Sequence, residues 1–267
     1  MKKIVLLLIV LFSFGLAGCQ DNNVIRVSAT HVPHAEILEE VRGLLEEKGF
    51  SLEIIVSNQY AVLNPSVSSK SADANYFQHI PYLNNYNDSV KSNKQLVIAA
   101  NIHIEPIGLY SPVGYKSIND IKNGDTILVS NSESDQARLF CLLEKLGLIT
   151  LKEGTGANAT EEDIQTNPKN LVFKKDVNPE LLVQAFNNNE APIIQINSNY
   201  ALEAGMSPQN DSFAIESPND NPYVNVLVCR KGDLDSPKIK VLIEVLTSEH
   251  IKNFINSKYS GAVVPAF

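Results

Sequence analysis

Apolar and polar positions along the chain switch repeatedly between a period near two and a period near 3.6. Residues 24–29 (VIRVSA) read as a short strand. Residues 33–48 carry Ile37, Leu38, Val41, Leu44 and Leu45 on one helical stripe that stops at Gly49, and residues 52–56 return to strand. The same reasoning predicts strands at 96–100, 107–110, 126–129, 171–173, 192–196 and 224–229. It predicts helices at 81–90, 133–146, 179–186, 199–204 and 237–258. Elements alternating in this way indicate an α/β protein with mostly parallel sheets.

No Gly/Ser-rich linker and no internal repeat divides the chain. Two stretches have the character of crossings between lobes: the extended segment at 107–112, and residues 217–223, rich in Pro and Asn ahead of a strong strand. A middle lobe at 111–221 leaves 24–110 and 222–267 to form the other lobe. A ligand cleft is then expected between the two sheets.

The first nineteen residues, MKKIVLLLIVLFSFGLAGC, stand apart from this alternation. Lys2 and Lys3 precede an apolar run from Ile4 to Phe14, and Leu16-Ala17-Gly18 leads into Cys19. The run is too short to cross a ~30 Å hydrocarbon core comfortably, and the small residues suit a signal peptidase, so 1–18 read as a signal peptide. A cysteine directly after Leu-Ala-Gly resembles the lipobox of bacterial lipoproteins. That resemblance implies that Cys19 is lipidated (diacylglycerol, palmitate), becomes the new N-terminus, and tethers the body through residues 19–23 to the extracytoplasmic side of a bacterial cell membrane.

Composition sharpens the picture. The 267 residues are 44% apolar and 19% charged, which is globular. The 22 basic and 30 acidic side chains give a formal charge of −8, and loss of Lys2 and Lys3 makes the body more acidic still. Such a body, held by lipid alone, stands off an anionic bilayer. No basic run provides the footprint of a nucleic-acid binder. Cys141 and Cys229 lie in apolar runs and read as inert buried thiols.

Reactive chemistry is not evident. No GxGxxG follows a strand, and there is no P-loop, HExxH, GxSxG or CxxC, so neither catalysis nor a cofactor is expected. His31-Val-Pro-His34 has metal-like spacing, but Pro33 opens a helix between the rings. No third or fourth ligand is apparent, and no metal site is expected.

Residues 73–83, DANYFQHIPYL, are the most informative segment. Tyr76, Phe77, His79 and Tyr82 fall within seven residues, and Pro81 is placed to start a helix. A polar-aromatic turn of this kind can wall a pocket with rings while offering polar tips. The same rings serve equally well as the core of a strand–helix corner.

DANYFQHIPYL resembles the DANAFQHxPYL motif of the methionine-binding lipoproteins of ABC importers, the NLPA family of substrate-binding proteins. PHAEIL from Pro33, EPIGLYS from Glu105, NPKNL from Asn167, NYALEAG from Asn199, NPYVNVLV from Asn221 and the terminal GAVVPAF match in register, so the resemblance covers the whole body. It implies a two-lobed periplasmic-binding-protein fold of type II character. The implied function is capture of L-methionine and its delivery to an ABC permease and, through that, to the ATPase. Carried over by position, an aromatic wall falls on Tyr60, Phe77, His79 and Tyr82, a carboxylate-binding arginine on Arg138, and polar contacts on Asn197, Asn225 and, less directly, Asn199. A thioether between flat rings gains roughly 0.3–1.5 kcal/mol per contact, and a guanidinium can fork onto a carboxylate. Local alternatives stand beside these roles: Asp135 is one turn from Arg138, and Asn197 precedes a helix it could cap.

The chain departs from the family pattern at Tyr76, where alanine is usual, at Asp135, where asparagine is usual, at Leu63, and around 182–184, where an arginine is missing. A ring at position 76 would stand beside the pocket. Related ligands are D-methionine, a methionine dipeptide or another apolar amino acid. Outside that class the alternative is a metal-binding lipoprotein.

Overall fold

The computed structural model describes residues 23–267; the segment expected to be a signal peptide, Cys19 and the expected tether as far as residue 22 lie outside the described residues. Strand β1 (Val24–Ala29) leads through a wide turn at His31–Ala35 into helices α1 (Glu36–Glu40) and α2 (Arg42–Glu47). Then come β2 (Ser51–Val56), α3 (Tyr60–Ser68), β3 (Ala74–His79), α4 (Ile80–Ser89) and β4 (Leu96–Ile104). After an outward crossing at 105–107 the chain forms β5 (Gly108–Tyr110), β6 (Thr126–Ser130), α5 (Glu133–Lys145), β7 (Thr150–Leu151), β8 (Ile164–Thr166) and β9 (Val172–Val177). It continues with α6 (Leu182–Asn187), β10 (Ile193–Ile196), α7 (Ser198–Glu203), α8 (Pro208–Asp211) and β11 (Ala214–Ile215). The return supplies β12 (Val224–Arg230), α9 (Pro237–Leu246), α10 (Glu249–Tyr259) and β13 (Val264–Pro265).

Two main sheets result, ordered β13-β4-β12-β3-β1-β2 and β11-β5-β10-β6-β9. Neither is mostly parallel, contrary to the pattern-based expectation. Each joins a parallel half (β3-β1-β2; β10-β6-β9) to an antiparallel half, because a strand arriving from the other sheet runs against its neighbours. Strand β5, placed by sequence at the end of the first lobe, pairs with β10 and β11 in the second sheet, so the first crossing falls at 105–107. Gly108 is required there, since a Cβ would approach Ser212 Cβ and the Tyr110 ring to 2.8 Å.

Each sheet carries its own core. Ile25, Val27, Ile37, Leu38 and Leu45 pack with Leu242, Ile251 and Ile255 on the first; Ile127, Val129, Leu139, Phe140 and Ile193 pack on the second. Each such side chain, fully buried, contributes roughly 1.5–3 kcal/mol. Helix α7 follows a second-sheet strand, yet its Leu202 packs against the first core, so the two halves touch. The helix expected at 33–48 is interrupted at Val41, and that expected at 237–258 breaks at Thr247, after which Ser248 caps α10. Helix α3 was not foreseen, and β3 is the strand of the strand–helix corner that stood as the alternative to a polar-aromatic turn. Cys229 is buried as expected, whereas Cys141 is only half-buried, its thiol donating to Gly156 O. Among the described residues, no helix is long and apolar enough to cross a membrane.

Candidate functional site

A narrow cavity between the two sheets is lined from both sides. The first sheet contributes Phe77, Gln78 and His79 from β3, Tyr60 from the start of α3, Tyr82 from α4 and Asn225 from β12. The second contributes Asp135 and Arg138 from α5 and the Asn197-Ser198-Asn199 turn, with Glu105 and Ile107 from the crossing. All eight residues carried over by position therefore line one space. Tyr76 does not: instead of standing beside the pocket it is fully buried in the first core, its hydroxyl bonded to His103 Nδ1.

The aromatic side is a connected cage. Tyr60, Phe77 and Tyr82 meet pairwise with ring centroids 5.6–5.9 Å apart, and His79 packs edge-on against Tyr82 and Tyr223. Such tilted and T-shaped contacts suit ring quadrupoles. Pro81 in the first turn of α4 fixes its entry. His79 caps that helix, its Nδ1 accepting from Tyr82 N–H at 3.2 Å, which leaves the ring proton on Nε2. Tyr60 and Tyr82 also line a wider groove between the sheets, so these two rings separate the cavity from solvent.

The polar side is organised around Arg138, which is 2% exposed. Its partner is not Asp135 but Glu216, seventy-eight positions away: Nε and Nη2 fork onto that carboxylate at 3.2–3.3 and 2.5 Å, and Nη2 also donates to Glu105 O at 2.7 Å. Tyr223 lies against the guanidinium face, 4.5 Å from centroid to Cζ. The forked edge is thus occupied by the protein, and Nη1 is the part left without a hydrogen bond among the described residues. Burial opposes both charges. The pairing outweighs it, holding Glu216 below the usual carboxylate range and raising Arg138 further.

The two asparagines present opposite ends. Asn197 precedes α7, but its side chain does not cap that helix; Nδ2 donates to Asp135 Oδ1 at 3.1 Å, and Oδ1 is buried without a partner among the described residues. Asn225 is held the other way, Oδ1 facing His34 Nε2 at 3.2 Å, which leaves Nδ2 unengaged on the cavity wall. Asn199 Oδ1 accepts from the Tyr60 hydroxyl at 2.7 Å, and Tyr200 reaches Asn58 O at 2.6 Å, so both bonds latch the halves together. Burial would raise the Asp135 carboxyl, but His79 nearby and the bonds from Ser130 and Asn197 together hold it low.

Behind the cavity, His34, His103 and Glu105 bring their ligating atoms within 4.8 Å of one another, a grouping the sequence did not reveal. His31 is not part of it; that ring is exposed beside Glu203. Both buried rings converge on Glu105 Oε1, at 3.2 Å from His34 and 2.7 Å from His103, while their other nitrogens meet the Thr30 and Tyr76 hydroxyls. Every ring nitrogen has a partner, so the cluster is complete as a hydrogen-bond network. Burial pushes His34 down to about 4 and His103 to about 3, so both rings are neutral, and it pushes the Glu105 carboxyl up.

Two mixed sheets closing on a buried cavity, with rings at one end and paired charges and amides at the other, define a solute-binding protein of the two-sheet α/β class. The chain belongs to the NlpA lipoprotein family, whose sequence profile matches residues 25–267. It is 45% identical to the methionine-binding lipoprotein MetQ of Bacillus subtilis over 99% of each chain. It is 32% identical to the D-methionine-binding lipoprotein MetQ of Salmonella typhimurium, over 94% of this chain and 93% of that one. The structure superposes on a nutrient-binding protein from Burkholderia cenocepacia bound to methionine with a TM-score of 0.83 and 34% identity, covering 91% of this chain and all of that one.

Glu216 and Tyr223, which hold Arg138, were missed by sequence reasoning, as were Gln78, Glu105, Ile107 and Ser198 on the cavity wall. Gln78, Glu105 and Ile107 sit inside segments already singled out (DANYFQHIPYL, EPIGLYS). Nothing local marks Glu216, because its partner is distant in the chain.

Proposed function

We propose that this protein is a lipid-anchored binding protein that captures L-methionine in the cavity and hands it to an ABC permease. The observation that carries this reading is the polarity of the cavity. Arg138 Nη1 and Asn225 Nδ2 offer donors to a carboxylate, Asn197 Oδ1 offers an acceptor to an ammonium, and the ring cage encloses an unbranched apolar chain. A zwitterionic amino acid with a thioether tail satisfies all three. The methionine-bound relative supports the choice of ligand, and the lipoprotein relatives support attachment through Cys19. Each sheet with its helices acts as a lobe, and binding shifts the population toward the closed form. The ligand leaves chemically unchanged.

Isothermal calorimetry of the purified protein tests the reading. L-Methionine should bind at micromolar concentration or below and glutamate at least a hundredfold more weakly, with D-methionine, methionine dipeptides and Zn²⁺ as the competing arms. Tighter binding of any competitor would replace L-methionine as the ligand. Stimulation of permease-linked ATPase by the loaded protein checks delivery, and release of Cys19→Ser into the soluble fraction with unchanged methionine affinity checks the anchor.

A further inference from the structure

Asp135 is 1% exposed at the start of α5 and forms part of the cavity wall. Its Oδ2 accepts from Ser130 Oγ at 2.6 Å, and its Oδ1 accepts from Asn197 Nδ2 at 3.1 Å. An ionised carboxylate is an acceptor only, so it can face just one end of an amide. Asn197 is thereby fixed with Nδ2 toward Asp135 and Oδ1 away from it. That oxygen is buried and has no partner among the described residues. A buried acceptor left unmet is costly, so the arrangement calls for a donor from the ligand. The carboxylate behind the amide adds a negative charge in a water-poor space, where its pull on a cation is strong.

We infer that Asp135 is a positioning residue that turns the Asn197 carbonyl into the cavity and makes the cleft select ligands carrying a charged amino group over counterparts of the same shape that lack one. This rests on the amino-acid reading proposed above. A hydroxyl in place of the ammonium keeps a donor for Asn197 but loses the charge. The α-hydroxy analogue of methionine therefore isolates the effect without changing size. With Asp135 replaced by asparagine, the charge is gone and the Asn197 amide is free to turn over.

The test is calorimetry with L-methionine and its α-hydroxy analogue on the whole protein, comparing wild type with Asp135→Asn. Wild type should prefer methionine by about a hundredfold or more, and the variant by about tenfold or less, with most of the change in methionine affinity. A substitution that merely loosened the structure would weaken both ligands alike and leave the ratio intact; that result overturns the inference. Asn197→Ala, which removes the acceptor itself, should lower the ratio in the same way and provides the measurement if Asp135→Asn does not fold; a retained ratio there is equally fatal. If wild-type protein binds neither compound, the amino-acid reading fails and the inference with it, whereas an unchanged ratio with methionine still bound fails the inference alone.

Discussion

Arg138 shows how much a single buried charge depends on its surroundings. Its forked edge is held by Glu216 and its face by Tyr223, so a ligand carboxylate in the proposed pose meets Nη1 rather than the fork expected from sequence. Removing one partner of such a pair typically costs about 3–5 kcal/mol, which is some two to four orders of magnitude in affinity. Arg138→Ala should therefore abolish methionine binding at micromolar ligand. It should also lower the melting temperature, because Glu216, 4% exposed, is left unpaired; unchanged affinity in calorimetry would remove Arg138 from the site. The aromatic cage behaves differently. Phe77→Ala empties a position of the kind that costs roughly 3–5 kcal/mol in a closed core, but water refills an open cleft, so its loss of binding should be smaller than that of Arg138→Ala. The two affinities, measured side by side, check that order.

At the scale of elements, strong periodicity was legible and mixed composition was not. Strand β1 runs over 24–29 as its alternation predicts, and α5 runs over 133–145 from its apolar stripe. Strand β3 was only one of two readings because ANYFQH mixes polar and aromatic residues without alternation. It is central, between β12 and β1, and all six of its residues are buried. Helix α3 was hidden by Pro65 and its serines, although it carries Tyr60 into the cavity. The candidate site was legible through the 73–83 motif and its register with the family, whereas Glu216 and the His34–His103–Glu105 cluster depend on contacts that only folding creates. The break between α9 and α10 has a local cause: Ser248 accepts from Ile251 N–H and caps the second helix. Ser248→Ala should cost about 1 kcal/mol in thermal or urea unfolding and leave ligand affinity unchanged, since neither helix lines the cavity.

For the whole molecule, the buried histidines set the response to acid. His34 and His103 are neutral when folded, with folded values of about 4 and about 3 against 6.5 when unfolded. The unfolded chain binds more protons in that window. Stability is thus fully present above pH 6.5 and is lost as pH falls toward 4, by up to about 1.4 kcal/mol per pH unit for each ring. Glu105, pushed up by burial, works the other way as pH falls through its folded value, one carboxyl against two rings. The melting temperature should accordingly drop between pH 6.5 and 4.5, and the double variant His34→Gln, His103→Gln should flatten the slope. An unaltered slope would assign the acid response to other groups.

The central claim is that one cavity holds both ends of an amino acid with its side chain among rings. A crystal structure of the protein grown with L-methionine tests that most directly. The account predicts the carboxylate within hydrogen-bond distance of Arg138 Nη1 and Asn225 Nδ2, the ammonium on Asn197 Oδ1, and the sulfur between Tyr60, Phe77 and Tyr82. Methionine bound in the reverse direction, or density for it only outside the cavity, would contradict the account.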